Sequence, residues 1–109
     1  MSDAKALYKQ GFGHFVANEL EAAIGRYREA LELDPQLAIA WNGLSLALAK
    51  SGDLDGAIQA AKRLIELEPE DPLSHTNLSR FYQQKGMIPE AEDARAVSMR
   101  LQMKQQKPT

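Results

Sequence analysis

The sequence predicts an all-α protein built as a stack of three antiparallel helical hairpins. Three observations carry that expectation. Written in rows of thirty-four residues the chain aligns with itself, with Leu20, Leu54 and Ile88 in one column, Ala23, Ala57 and Ala91 in a second, and Leu33, Leu67 and Leu101 in a third. A fixed period in this range marks a stack of like supersecondary units. Within each row the apolar residues recur at helical spacing in two blocks with a turn signal between them. Finally, the turn slot holds Asn18, Gly52 and Gly86, and a small-residue slot holds Gly11, Ser45 and Ser79.

The spacing predicts helices near 3–17 and 20–33 in the first row, 37–50 and 54–67 in the second, and 71–84 and 88–104 in the third. In the second row Trp41, Leu44 and Leu48 mark one helical face, Ser51-Gly52-Asp53 interrupts it, and Leu54, Ala57, Ile58, Ala61, Leu64 and Ile65 resume it. Gly52 and Gly86 suit a left-handed residue past a helix end, which Asn18 also tolerates. Pro35, Pro69 and Pro72 punctuate the helices because proline lacks the donor a helix interior needs, and Pro89 sits where a first turn accepts it. Asp55, Glu90 and Glu92 place negative charge at helix starts. Gly11, Ser45 and Ser79 on the first helices, with Ala23, Ala57 and Ala91 on the second, are small enough for paired helices to approach closely. Bulky columns fill the rest: Leu7, Trp41 and His75; Gln10, Leu44 and Leu78; His14, Leu48 and Tyr82. No hairpin buries both of its apolar faces alone, so three stacked units are about the minimum.

At 109 residues the chain has the length of one domain, residues 1–109, with repeats at about 4–37, 38–71 and 72–105 and a short basic tail at 105–109. Hydrophobic residues at 44% and charged residues at 26% lack the polar excess of a disordered chain. No apolar run approaches the roughly 18 residues of a membrane span, so no membrane partner is expected. The polar start, Met1 to Lys5, is unlike a secretory signal, and the absence of cysteine suits a reducing compartment; the expected location is the cytoplasm. Residues 1–79 hold seven Lys and Arg against twelve Asp and Glu, a balance of −5, whereas residues 80–109 hold six against three, a balance of +3. From Arg95 onward every charge is positive, through Arg100, Lys104 and Lys107, which complements the dipole of the last helix or offers an acidic partner a place to attach.

These columns resemble the tetratricopeptide repeat. That family places a large residue and a small one on the first helix, a small residue and an aromatic on the second, and a proline in the following loop. The first row fits through Leu7, Gly11, Ala23, Tyr27, Ala30 and Pro35, and the second through Trp41, Leu44, Gly52, Ala57, Leu64 and Pro69, with Ala61 where the aromatic would stand. The third fits through Leu78, Tyr82, Gly86 and Ala91, then departs with Arg95, Ser98 and Met103. A terminal unit shows water the face its neighbours bury, and Glu92, Arg95, Ser98 and Gln102 are expected to form that polar face. A competing expectation is that Met99, Leu101 and Met103 leave an apolar strip covered in a dimer. The resemblance implies a right-handed superhelical solenoid acting as a scaffold or adaptor, with a peptide or partner protein held on the concave face of the first helices.

Helical phase places Lys5, Tyr8, Phe12 and Phe15, then Ile39, Asn42, Leu46 and Lys50, then Leu73, Thr76, Asn77, Arg80 and Gln84 on that face. Its aromatic end would supply apolar anchors and its amides and guanidinium orientation. Asn42 and Asn77 are candidates to hold a ligand backbone. First helices about 10 Å apart make a groove of about 20–25 Å, the span of about six or seven extended residues. Family members that grip a chaperone's C-terminal carboxylate present Lys, Asn and Arg at places held here by Tyr8, Phe12, Gly43, Leu73 and Asn77, so that specialisation is not expected.

Catalysis, metals and cofactors are not expected. His14 and His75 stand in columns otherwise held by Leu48 and Tyr82, or by Leu7 and Trp41, so partial burial in the helix packing is the reading for both. No His and carboxylate set has metal-ligand spacing, and the acidic run Glu66, Glu68, Glu70 and Asp71 reads as loop solvation. Scattered basic residues in a chain of net charge −2 make no stripe for phosphates, so nucleic acid is not an expected partner. The alternative to an adaptor is a homo-oligomer joining copies through the apolar first groove and the basic last helix.

Overall fold

The computed structural model describes residues 3–106, which form six α-helices and no strand. They are α1 (Ala4–Val16), α2 (Leu20–Leu33), α3 (Ala38–Ser51), α4 (Leu54–Leu67), α5 (Pro72–Lys85) and α6 (Ile88–Gln105). Every end lies within one residue of its expected place. Lys107, part of the expected basic tail, lies outside the described residues.

The turns inside the hairpins are one motif used three times. Asn18, Gly52 and Gly86 take φ of 63°, 99° and 83°. Each lets the next amide reach back to a carbonyl of the last helical turn, from Glu19 to His14, Asp53 to Leu48 and Met87 to Tyr82, at 2.8, 2.9 and 2.8 Å. This satisfies carbonyls a helix end would otherwise leave free and reverses the chain in three residues. Helix starts are less uniform. Asp53 Oδ1 accepts from the Gly56 amide at 2.9 Å and Asp71 Oδ1 from the Leu73 amide at 3.0 Å, whereas the starts of α2 and α6 have no side-chain cap.

The loops between repeats are tied to the helix that follows. Trp41 Nε1 donates to the Pro35 carbonyl at 2.7 Å, and His75 Nε2, one repeat later, lies 3.4 Å from the Pro69 carbonyl. His75 is thus half-buried, as its column suggested, beside a loop that its counterpart Trp41 tethers more tightly.

Consecutive helices pack against each other along the whole chain; α1 also meets α3, while no comparable contact joins α2 to α4. Nor does a comparable contact join α3 to α5, so the odd-numbered helices meet at the first joint and not at the second, within extents of 39 × 36 × 21 Å. The small-residue columns sit where the hairpins close: Ala23, Ala57 and Ala91 are fully buried, and Ser79 Oγ donates across the third hairpin to the Ala91 carbonyl at 2.8 Å.

The last helix departs from expectation at one residue. Ser98, expected on a solvent face, is buried, its Oγ 2.6 Å from Thr76 Oγ1 and donating to the Pro72 carbonyl at 3.0 Å. It occupies the column of Ala30 and Leu64, both core residues, so it binds α6 to the start of α5 by hydrogen bonds instead of apolar contact. Glu92, Arg95 and Gln102 do stay exposed, and so do Met99 and Met103. Lys104 Nζ bonds Glu70 Oε1 at 2.9 Å and Gln105 donates to the Glu70 carbonyl at 2.7 Å, fastening the far end of α6 to the loop before α5.

Candidate functional site

The wall expected of α1, α3 and α5 is aromatic in its first third because α2 supplies a support for it. Tyr27 on α2 is fully buried between α1 and α3, where Gly11 and Gly43 leave it room: a Cβ on either glycine would come within 2.8 or 2.7 Å of the ring. Tyr8 leans on Tyr27 with ring centroids 5.7 Å apart, and Phe12 stacks on Tyr8 at 6.3 Å and 25°. Such offset pairs are worth about 0.5–1.5 kcal/mol beyond burial. Burial, then the neighbouring Tyr8 charge, pushes the Tyr27 phenol up to about 12, and burial raises Tyr8 as well. Phe15 packs partly against the core, with Lys50 Nζ 5.4 Å from its ring centre.

The expected wall residues divide into three groups. Phe12, Ile39 and Leu73 are large apolar side chains left 50%, 49% and 56% exposed, and Lys5 and Arg80 are exposed with them. Tyr8, Phe15, Asn42 and Leu46 are half-buried. Asn77 is only 6% exposed, so it is packed into the wall and is not a solvated side chain. By register Asn77 stands one repeat after Gly43 and Ala61 one repeat after Tyr27, so the second joint pairs a larger residue on the odd helix with a smaller one on the even helix.

Sequence reasoning missed an opening between α3 and α5. Ile39 and Asn42 of α3, Leu64 and Glu68 at the end of α4, and Asp71, Leu73 and Ser74 at the start of α5 enclose a cleft of about 260 Å³. Ser74 is 1% exposed, and its Oγ has no hydrogen-bond partner. The signal was present in the acidic run, whose members have unequal fates. Glu66 pairs with Arg63 at 2.7 Å and Glu70 with Lys104, while Glu68 and Asp71 are in no ion pair among the described residues.

On the outer side, grooves between α2 and α4 and between α4 and α6 are repeat-equivalent. The first, about 910 Å³, has Trp41, Leu44 and Leu48 as its floor and Arg28, Lys62 and Arg63 around it; the second, about 380 Å³, has His75, Leu78 and Tyr82 as its floor and Glu90 and Asp93 at its rim. Gly56 in the first becomes Glu90 in the second, which narrows it.

His14 Nδ1 lies 2.8 Å from Glu19 Oε1 at the exposed end of the first hairpin. Among the described residues, no group of three His, Cys, Asp or Glu could hold a metal, and no helix is long and apolar enough to cross a membrane.

Comparison with known proteins agrees with this architecture. The family model for the tetratricopeptide repeat matches residues 4–72. A pentatricopeptide repeat-containing protein of Arabidopsis thaliana is 38% identical over 74 residues, which are 66% of this chain and 9% of that protein. Tetratricopeptide repeat protein 36 of Homo sapiens is 34% identical over 67 residues, 62% of this chain and 35% of the human protein. The chain thus spans about a tenth of the plant relative's length and about a third of the human one's. Among solved structures, MamA superposes with a TM-score of 0.92 at 27% identity, covering 95% of this chain and 61% of MamA. The second TPR domain of Spaghetti (RPAP3), bound to an HSP90 peptide, superposes with a TM-score of 0.86 at 19% identity, covering 91% and 92% of the two chains. With the 34-residue register, the repeated turn and the six stacked helices, the match over residues 4–72 establishes that the chain belongs to the tetratricopeptide repeat family.

Proposed function

We propose that this chain is a protein-interaction module that holds an extended peptide segment of a partner along the inner wall of α1, α3 and α5. One observation carries the reading: Phe12, Ile39 and Leu73, one from each odd helix, are large apolar residues left about half in water, and helical phase gives them a common face. Apolar anchors so placed gain energy when covered, and the polar groups beside them, Asn42, Arg80 and Lys5, fix orientation. The solved RPAP3 domain, similar in fold, holds a peptide. Scaffolding is the role this supports, with binding and no chemistry as its output.

The test compares proteins captured from a lysate by the wild type and by a Phe12→Ser, Leu73→Ser variant, quantified by mass spectrometry. Both side chains are half exposed, so the variant should melt within a few degrees of the wild type and lose the specific captures. Retention of the same captures by a folded variant would remove the inner wall from the binding surface. Phe15 is a poorer probe, because its partial packing on the core confuses a binding loss with a folding loss.

A second reading rests on other residues. Met99 and Met103 are 50% and 70% exposed on α6, and flexible thioether side chains suit an adaptable contact between copies. Sedimentation over a range of concentration would show growth that disappears in a Met99→Gln, Met103→Gln variant. A monomer at every concentration, at low and at high salt, ends the assembly reading.

A further inference from the structure

The cleft between α3 and α5 has a composition unlike the rest of the wall. Its sides are apolar, from Ile39, Leu64 and Leu73, and its polar groups are all able to accept: the Glu68 carboxylate, the Asp71 oxygen not used by the Leu73 amide, the Asn42 side-chain carbonyl and the Ser74 hydroxyl. Ser74 Oγ is the buried polar side-chain atom of this lining without a partner among the described residues. A hydroxyl nine-tenths buried costs stability unless something bonds to it, and this one is 1% exposed with no partner. Charge points the same way. Of the four carboxylates in the run, Arg63 and Lys104 neutralise two, and the two left over border this cleft. The negative end of α4 adjoins Glu68 and the positive end of α5 adjoins Asp71 and Ser74, so the two helix dipoles offset each other and the carboxylates decide the sign. The volume of about 260 Å³ falls below the roughly 300–1,000 Å³ of small-molecule sites, so one side chain fits it better than a whole metabolite.

Resting on the peptide-binding reading above, we propose that this cleft receives a Lys or Arg side chain of the bound peptide. The aliphatic stem lies against Ile39 and Leu73, and the cationic head donates to Glu68, Asp71 and Ser74. A cationic head brings several donors to a set of acceptors. An acidic residue at the same place would meet two like charges. The module therefore selects peptides with a basic residue opposite the second joint, and the apolar anchor at Phe12 accepts the remainder.

The probe is a set of seven-residue peptide pools, N-acetylated and C-amidated, with one fixed position scanned through Lys, Arg, norleucine and Glu. Binding is read by fluorescence anisotropy at about 50 mM salt. For the wild type, Lys and Arg pools at one position should bind about tenfold more tightly than the norleucine pool, and the advantage should shrink as salt rises. In a Glu68→Gln, Asp71→Asn variant the ratio of Lys or Arg affinity to norleucine affinity should fall from about ten to about one. Asn at 71 still accepts the Leu73 amide, so the start of α5 is preserved, and a thermal melt checks this. A basic preference that survives in the variant, or none in the wild type, overturns the proposal. If pools bind without basic preference and Phe12→Ser abolishes that binding, the inner-wall reading stands and only the cleft assignment fails. If no pool binds at all, both fall.

Discussion

The first joint of the stack, where α1 and α2 meet α3, and the second, where α3 and α4 meet α5, have the same backbone plan and opposite fillings. In the first, Tyr27 brings the volume and Gly11 and Gly43 give it space. In the second, the corresponding residues are Ala61, Ser45 and Asn77, so the volume has moved from the even helix to the odd one. The consequences reach the surface. Tyr27 closes the first joint and props the Tyr8 and Phe12 rings into an apolar end, and α1 lies against α3. At the second joint α3 and α5 stay farther apart, and a polar cleft opens near their starts. A repeat can keep its period while one joint is filled from the even helix and the next from the odd one.

The largest expected effect comes from removing the first joint's filling. Tyr27→Ala should cost about 3–5 kcal/mol, as truncation of a buried aromatic does, seen as a lower urea midpoint. It should also weaken capture by the inner wall, since Tyr8 and Phe12 lose their support. A loss below about 1 kcal/mol would mean that the ring is not what joins the first two repeats.

The phenol itself gives a pH test. Its folded pKa is raised from 10 to about 12, so the unfolded chain releases this proton first. The neutral ring's contribution is fully present below pH 10 and is lost as pH rises toward 12. At about 1.4 kcal/mol per unit, the wild type should lose about 2–3 kcal/mol across that window relative to Tyr27→Phe, which keeps the ring and cannot ionise. Parallel stability curves for the two proteins would contradict the burial argument. Both measurements need only urea titrations at fixed pH.

The transposition is tested directly by giving the second joint the first joint's residues. Ala61→Tyr alone overpacks against Asn77 and should cost about 1–3 kcal/mol. Combined with Asn77→Gly, the cost should fall short of the sum of the two single changes by roughly 0.5–3 kcal/mol, the range for residues that share a site. Strict additivity would show that Asn77 and Ala61 do not compete for one space.

Much of this plan could be read from residue spacing, for identifiable reasons. Helix ends depend on local chemistry, and Asn18, Gly52 and Gly86 each declare a left-handed residue, so the boundaries were legible to one residue. The candidate wall was legible as far as helical phase reaches. Phase gives direction but not depth, which is why Asn77 and Arg80, both on the odd face of α5, end buried and exposed. Ser98 escaped for a related reason: a serine in an apolar column looks like a concession to solvent until Thr76 and the Pro72 carbonyl appear across the interface. The cleft escaped because its members come from three elements, and the distinction among Glu66, Glu68, Glu70 and Asp71 depends on whether Arg63 or Lys104 lies within reach.

The smallest expected effect separates a structural serine from a binding one. Ser98→Ala removes three hydrogen bonds, those with Thr76 Oγ1, the Pro72 carbonyl and Gln102, and should cost about 1–3 kcal/mol. Ser74→Ala removes a hydroxyl that bonds to nothing, so it should leave stability within about 1 kcal/mol of wild type or raise it slightly. The same change should lower the affinity of Lys-containing peptide pools while leaving norleucine pools alone. A destabilisation by Ser74→Ala as large as that of Ser98→Ala would mean that the hydroxyl already has a partner in solution. The second joint would then be a closed interface like the first, filled by different atoms, and the contrast between anchor and pocket would fail at its open end.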